Sequence, residues 1–244
     1  MSAQSKTPIK KETSAVEESR SSSAEVDSFL GRVKAMTPAT AAGPGRLIFA
    51  MDATMSRQPT WDLALKLQGD MFKAVKEAGG LDVQLVYFRG FGETRASKWV
   101  RDPEALARLM ATVACQGGFT QIRKVLTHAL REAKRAKVNA VVYVGDCMEE
   151  EIDELCQLAG RIGLLGVPIF LFQEGREPTA ERTFKEIARL TRGAYSHFDA
   201  GSARQLSQLL SAVAVYASGG RKALQKYGAE TKSGAAQRLL EQLG

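Results

Sequence analysis

The chain has 244 residues, enough for one sizeable domain with extensions, and its 44% hydrophobic and 25% charged residues are typical of a globular protein. Its formal net charge of +7 falls to +3 for residues 46–219, because residues 1–45 contribute +1 and residues 220–244 contribute +3. No nucleic-acid-binding motif accompanies this charge, and the basic face of the predicted helix 121–137 is interpreted as solvated, so no nucleic-acid partner is expected.

The cysteines and the distribution of apolar residues indicate in which cellular compartment the protein is expected. The three cysteines, Cys115, Cys147 and Cys156, form no C-x-x-C pair, and with only two histidines they indicate no zinc site. Unpaired cysteines favour a reducing compartment. Residues 1–24 lack the apolar core of a signal peptide, and glycine and proline interrupt the longest apolar stretch, 162–172. We therefore expect a cytoplasmic protein with no membrane association.

Residues 1–45 are predicted to form a disordered N-terminal segment with one short helix and a linker. Residues 1–24 are rich in serine, lysine and glutamate and offer almost nothing to bury. Residues 37–45 are rich in proline, glycine and alanine and are interpreted as a linker. Between them, helical spacing of apolar side chains predicts a short amphipathic helix carrying Val26, Phe29, Leu30, Val33 and Met36.

Residues 46–218 are predicted to form one α/β domain, since strands alternate with helices along this part of the chain. We expect a doubly wound, mostly parallel sheet of about six strands with helices on both faces and one antiparallel edge strand, 92–100. The predicted elements, in chain order, are strand 46–52, helix 58–78, strand 81–88, strand 92–100, helix 103–114, helix 121–137, strand 139–145, helix 149–163, strand 167–172, helix 179–191, a short strand near 194–198 and helix 202–217.

The C-terminal tail, residues 219–244, is predicted to be partly helical. It begins with Gly-Gly-Arg-Lys and ends in an amphipathic stretch with Ala236, Leu239, Leu240 and Leu243. Such a tail either packs on the domain or binds a partner; we favour a packed or loosely attached tail.

Three polar segments are predicted to meet at one edge of the sheet. Asp52-x-Thr54-x-Ser56 follows the first strand, Gly117–Thr120 precedes helix 121–137, and Gly145-Asp146 follows the strand 139–145. In open parallel sheets, ligands bind beyond the carboxyl ends of the strands where the winding reverses. Two carboxylates and three hydroxyls at that place suit a six-coordinate Mg²⁺ completed by water.

Each segment taken alone also has an ordinary explanation. Ser56 and Thr120 have the residue types of helix N-caps. Asp146 and Glu149 have the spacing of a capping box. Asp52 is suited to an Asx-turn at the end of its strand. The joint occurrence of all three segments is much more specific than any one of them and favours the metal site.

These residues carry a resemblance to a known family. Residues 46–217, about seven-tenths of the chain, resemble a von Willebrand factor A (VWA) domain. Asp52, Thr54 and Ser56 match the family's D-x-S-x-S motif, with threonine in place of the first serine. Thr120 matches the threonine of the family's second loop and Asp146 the acidic residue of its third loop, at intervals from Asp52 of 68 and 94 residues.

The resemblance implies a metal-ion-dependent adhesion site (MIDAS). Its ligands would be Asp52, Thr54, Ser56, Thr120 and Asp146, its metal Mg²⁺ (or Mn²⁺), and its partner a protein that offers an Asp or Glu to the metal. Bacterial cytosolic proteins of this family often work with AAA-type ATPase systems, which makes such a system a candidate partner. The protein is accordingly expected to be a binding module and not an enzyme.

The third loop departs from the family pattern. Where family members often have glycine, this chain has Cys147, followed by Met148 and an acidic run that begins with Glu149. We interpret the acidic residues as the first turn of helix 149–163, where the helix dipole favours negative charge. The alternative is that they surround the metal site and repel unsuitable partners.

Two other functions stay open at this stage. A Mg²⁺-dependent phosphatase or phosphotransferase of the haloacid dehalogenase type also begins with an Asp after its first strand. Such enzymes place an acidic residue two positions later, where this chain has Thr54. A domain that binds no metal and serves as a scaffold is the third possibility.

Overall fold

The fold was analysed in a computed structural model that describes residues 44–75, 80–199 and 202–231, together with Ser28 and Gly31. Apart from Ser28 and Gly31, the predicted N-terminal helix lies outside the described residues, as do most of its linker and the amphipathic stretch at the end of the tail. No helix in the described ranges is both long and apolar enough to cross a membrane.

Six strands form a single sheet. Their order is β3-β2-β1-β4-β5-β6; β3 is antiparallel to β2, and the other neighbours are parallel. The predicted α/β class, the strand number and the antiparallel edge strand are confirmed. The strands are β1 Gly45–Asp52, β2 Leu81–Arg89, β3 Glu93–Ala96, β4 Ala140–Gly145, β5 Ile169–Glu174 and β6 Ala194–Phe198.

Helices cover both faces of the sheet. Alternate side chains of β1 point to opposite faces, so that Phe49 lies in one hydrophobic core and Ile48 in the other. The first face is covered by α1 Gln58–Ala74, α2 Pro103–Ala111 and α6 Ala203–Glu230. The second face is covered by α3 Ile122–Arg135, α4 Ile152–Leu164 and α5 Pro178–Leu190.

The winding of the sheet reverses between β1 and β4. From β1 the chain proceeds to β2 and β3 on one side, then crosses back so that β4 pairs with the other side of β1. The loops that follow β1 and β4 therefore diverge at the carboxyl ends of two adjacent strands. A crevice at this position is where doubly wound sheets bind ligands.

Several helix boundaries differ from the prediction. Helix α2 ends at Ala111 and not at residue 114, with Thr112 as its C-cap, whose hydroxyl donates to Leu109 O. Helix α4 begins at Ile152 and not at residue 149. Helix α6 continues beyond residue 217 to Glu230, with a break at Gly220, whose φ of 65° is non-helical.

The loop before α3 packs closely on the turn between β2 and β3. A Cβ atom added to Gly118 would lie 2.0 Å from the carbonyl oxygen of Gly90. Phe119 N–H donates to that same oxygen at 3.3 Å. A Cβ atom added to the neighbouring Gly117 would meet no heavy atom within 4 Å. Only Gly118 of this pair is therefore needed for the close approach of the two backbones.

Gly118→Ala is therefore expected to lower the free energy of unfolding by about 1–3 kcal/mol, the usual cost of forcing extra volume into a packed contact. Gly117→Ala is the matched control and should leave stability nearly unchanged. Urea unfolding of the two variants and the wild type measures the difference. Equal stability of the two variants would contradict the close backbone approach.

Candidate metal centre

Asp52 ends β1 as a buried carboxylate, with 1% of its surface exposed. Its Oδ1 accepts a hydrogen bond from Thr54 N–H at 2.7 Å, so the predicted Asx-type turn is present. Burial raises the pKa of Asp52 to about 6, against the opposing effects of the Thr54 hydrogen bonds and the Arg57 charge. Its Oδ2 is buried and has no hydrogen-bond partner.

The hydroxyls of the first loop connect it to Asp146. Thr54 Oγ1 and Ser56 Oγ are 3.4 Å apart, and Ser56 Oγ donates to Asp146 Oδ2 at 3.3 Å. The negative charge of Asp146 also lies close enough to Asp52 to contribute to its raised pKa. The fold thus brings together four of the five predicted ligands, from two loops ninety residues apart.

Thr120 is connected to the third loop through Glu149. Thr120 Oγ1 accepts from Glu149 N–H at 3.1 Å, and Thr120 N–H donates to Glu149 Oε2 at 3.1 Å. These reciprocal bonds hold Thr120 beside a residue three positions after Asp146. Thr120 therefore lies at the same edge of the sheet, although its hydrogen bonds join it to Glu149 and not to the other predicted ligands.

The capping explanations for these residues are wrong. The N-caps of α1, α3 and α4 are Arg57, Gln121 and Glu151, respectively. Ser56 instead belongs to a 3-10 turn, Met55–Arg57. Asp146 lies too far before Ile152 to cap α4. Helix capping therefore does not account for these hydroxyls or for the Asp146 carboxylate.

The interpretation of the acidic run as a helical first turn is also wrong for its first members. Glu150 turns back to the start of α3, where its carboxylate accepts from Ile122 N–H and, at 3.0 Å, from Arg123 N–H. Negative charge at these otherwise unpaired amides is favoured by the helix dipole. Asp153 and Glu154 do lie in the first turn of α4, whereas Glu150 stabilises α3, because α4 begins only at Ile152.

Two charged residues of the site were missed from the sequence. Arg57 is 4% exposed; its guanidinium forms an ion pair with Glu174 and lies 3.6 Å from Asp146 Oδ2. Glu174, at the end of β5, also accepts from the Thr60 hydroxyl. The rule that polar residues at strand ends converge would have found Glu174, but the predicted strand ended at residue 172.

The arrangement fits a bound cation in one specific respect. Four buried side-chain N or O atoms of the described residues lack a hydrogen-bond partner, and two of them are Asp52 Oδ2 and Asp146 Oδ1. A buried acceptor without a partner is costly, whereas a divalent cation held by carboxylates and hydroxyls would satisfy both atoms. No group of three or more His, Cys, Asp or Glu in the described part of the chain is placed to hold a metal ion, so a cation here would depend on the two carboxylates and on hydroxyls.

Cys147 follows Asp146 but carries no thiolate at neutral pH. Burial, reinforced by the Asp146 charge and hydrogen bond, raises the pKa of the Cys147 thiol to about 12. Thiolate is the form that binds metals and reacts as a nucleophile. In the metal-free protein, the side chains at this edge that are best suited to a hard cation are therefore the oxygen donors.

Burial of Asp52 predicts a pH effect in metal-free protein. The folded state holds the Asp52 proton up to about pH 6, whereas the ordinary pKa of an Asp side chain is 3.8, so stability falls as the pH rises between these values. The decrease is about 3 kcal/mol if Asp52 acts alone. In Asp52→Asn this pH-dependent fall in the free energy of unfolding should be absent. Urea unfolding between pH 4 and 7 in the presence of EDTA measures it. Parallel pH profiles of variant and wild type would contradict the raised pKa.

The role of Glu150 at α3 predicts a stability difference between neighbouring glutamates. Glu150→Ala leaves two amides of α3 without their acceptor and should lower the free energy of unfolding by about 1 kcal/mol. Glu151→Ala is the control, since Glu151 is exposed and its side chain makes no capping bond. Thermal unfolding of both variants tests this, and an equal loss in both would refute the assignment.

Comparisons with known proteins concern the fold. The sequence matches no family model, and no curated protein matches it. The structure is similar to the VWA domain of SpRpn10, with a TM-score of 0.54, 13% identity, and coverage of 68% of this chain and 94% of that chain. It is also similar to a von Willebrand factor type A structure from Catenulispora acidiphila, with a TM-score of 0.57, 14% identity, and coverage of 72% and 43%. A third match is the pilus adhesin SpaC from Lactobacillus rhamnosus GG, with a TM-score of 0.55, 10% identity, and coverage of 78% and 31%. The chain therefore has the fold of a von Willebrand factor A domain.

Proposed function

We propose that the protein is a metal-dependent protein-binding module. Mg²⁺, or Mn²⁺, would be held by Asp52, Thr54, Ser56, Thr120 and Asp146, and a partner protein would complete the site with an Asp or Glu side chain. The observation that carries the proposal is the pair of buried carboxylate oxygens without partners, Asp52 Oδ2 and Asp146 Oδ1, at the edge where the winding reverses.

The donor set suits binding through a shared carboxylate. A cation held by hydroxyls and few carboxylates keeps a net positive charge and can exchange a water for an anionic ligand. In this chain Arg57 already compensates part of the negative charge of Asp146 and Glu174. The likeness to a protein described as a pilus adhesin agrees with a binding role. A partner in an AAA-type ATPase system is implied only by the family resemblance.

A binding role is favoured over the phosphatase alternative by the residue two positions after Asp52. The expected acid is replaced by Thr54, whose hydroxyl lies against that of Ser56. A general phosphatase substrate, p-nitrophenyl phosphate, tests the alternative directly. Mg²⁺-dependent turnover that is lost in Asp52→Ala would overturn the binding-module proposal.

Isothermal titration of the metal-free protein with Mg²⁺ and Mn²⁺ tests the site. We expect a heat of binding that Asp52→Asn abolishes, because the carboxylate with the buried free oxygen is removed. Thr54→Val should weaken the affinity at least about tenfold, since changes even to groups around metal ligands cost that much. Thr54→Ser is the matched control, because it keeps the hydroxyl and should bind nearly as tightly as the wild type.

The same titration distinguishes the scaffold alternative. Absence of any heat in the wild type, with Asp52→Asn indistinguishable from it, would support a domain that binds no metal. Heat that persists unchanged in Asp52→Asn would place the metal elsewhere and would contradict the proposed ligands.

A further inference from the structure

Exposed apolar side chains are concentrated at the edge of the sheet that carries the metal centre. Six large hydrophobic residues are exposed among the described residues. Four of them lie in loops or at a helix start beyond the carboxyl ends of the strands: Met55, Phe91, Phe119 and Ile152. The other two, Leu164 and Leu165, lie where α4 ends, at the opposite edge.

Phe91 and Phe119 form a pair that is held in place by the backbone beneath it. Their rings contact edge to face, with centroids 5.4 Å apart, yet the residues are 83% and 58% exposed. The Gly90 carbonyl oxygen, one residue before Phe91, accepts from Phe119 N–H at 3.3 Å and from Gln121 Nε2 at 3.3 Å. The two loops are therefore fixed to each other, and an aromatic surface of this kind loses little conformational entropy on binding.

The chain places these side chains next to the predicted metal ligands. Phe119 directly precedes Thr120, and Met55 lies between Thr54 and Ser56. Because consecutive Cα atoms are about 3.8 Å apart, each of these apolar residues begins within a few ångströms of a predicted ligand. We call Met55, Phe91 and Phe119 the apolar rim.

The charge beside the apolar rim suits an acidic partner. The Lys124 ammonium donates to Gly92 O at 2.6 Å and to Gln121 Oε1 at 3.0 Å, both neutral oxygens. None of the ion pairs found in the described part of the chain involves Lys124. Glu93, the carboxylate in this turn, is paired with Arg89 and Arg95. Lys124 therefore adds positive charge beside Phe91 that favours an acidic segment there.

We propose that the apolar rim is the docking surface for a protein segment that carries a large apolar side chain close to the Asp or Glu that binds the metal. This inference rests on the proposed function, because it assumes that a partner carboxylate completes the metal site. The apolar side chain would lie within about three residues of the acid, given the spacing between Thr120 and Phe119. It would bury the exposed faces of Phe91 and Phe119, and aromatic side chains of this kind often contribute most of the affinity at interfaces.

Selection from a random peptide library tests the proposal and does not require the partner to be identified. The full-length protein is immobilised in Mg²⁺, and bound phage are eluted with EDTA. We expect peptides that combine Asp or Glu with Leu, Ile, Met, Phe or Trp at a short, recurring separation. In a parallel selection on the double variant Phe91→Ser/Phe119→Ser, the acidic residue should persist and the apolar preference should disappear.

The affinity of one selected peptide, fluorescently labelled, then measures the contribution of each residue. Phe91→Ser and Phe119→Ser should each weaken binding at least about tenfold, equivalent to about 1.4 kcal/mol. Leu164→Ser is the matched control, since Leu164 is 89% exposed at the opposite edge, and it should change the affinity less than about twofold. Thermal unfolding of each variant shows whether the fold is retained.

The outcomes separate this inference from the proposed function. The docking surface would be overturned if the wild type selected acidic peptides with no apolar preference. It would also be overturned if the rim variants bound the peptide as tightly as Leu164→Ser. Either result would leave the metal-dependent function standing. Failure to recover any EDTA-released peptide from the wild type, together with no heat of Mg²⁺ binding, would overturn both. Apolar peptides that stay bound in EDTA and are recovered by a subsequent acid elution would show a docking surface independent of the metal and would also contradict the proposal.

Discussion

The Asp52 carboxylate is buried at the end of β1, and the surrounding loops must supply the hydrogen bonds and the opposite charge that it has lost from water. An ionised group removed from water needs compensating hydrogen bonds or charge, and without them burial shifts its pKa towards the neutral form. Asp52 receives one backbone hydrogen bond from Thr54, and one of its oxygens stays without a partner. This incomplete compensation is what lets burial raise the pKa of Asp52 to about 6.

Arg57 supplies positive charge at this place, and two carboxylates share it. Arg57 is buried between Asp146 and Glu174, and Glu174 also takes the hydroxyl of Thr60. One guanidinium therefore faces two carboxylates while Asp52 lies close by. Since a buried ion pair stabilises a protein only when its groups are fully satisfied, this cluster is a weak source of stability by itself.

The loops around the site are joined to each other by hydrogen bonds and by close backbone packing. Glu149 joins the third loop to Thr120, and Glu150 stabilises the start of α3. Gly118 allows the second loop to lie directly on the turn at Gly90. The rigid contact between these loops is also what keeps Phe91 and Phe119 in contact with each other while both stay exposed to solvent.

Much of this arrangement follows from the sequence alone. The alternation of apolar strands and amphipathic helices determined the α/β class, and the polar residues that follow β1 and β4 identified the edge that carries Asp52 and Asp146. These patterns are local, so they can be recognised within a few residues. The strand ends were less certain: β5 extends two residues beyond its prediction, and Glu174 was missed for that reason.

Only the tertiary structure decided which residues those local elements contact. The pairing of β4 with β1 brings Ser56 to Asp146, and the late start of α4 at Ile152 frees Glu149 and Glu150 to bind the second loop. The exposure of Phe91 and Phe119 likewise depends on how two loops distant from each other in sequence meet. Hydrophobic periodicity reports which face of an element is buried, but contacts between distant loops depend on strand order and loop geometry, which no local pattern encodes.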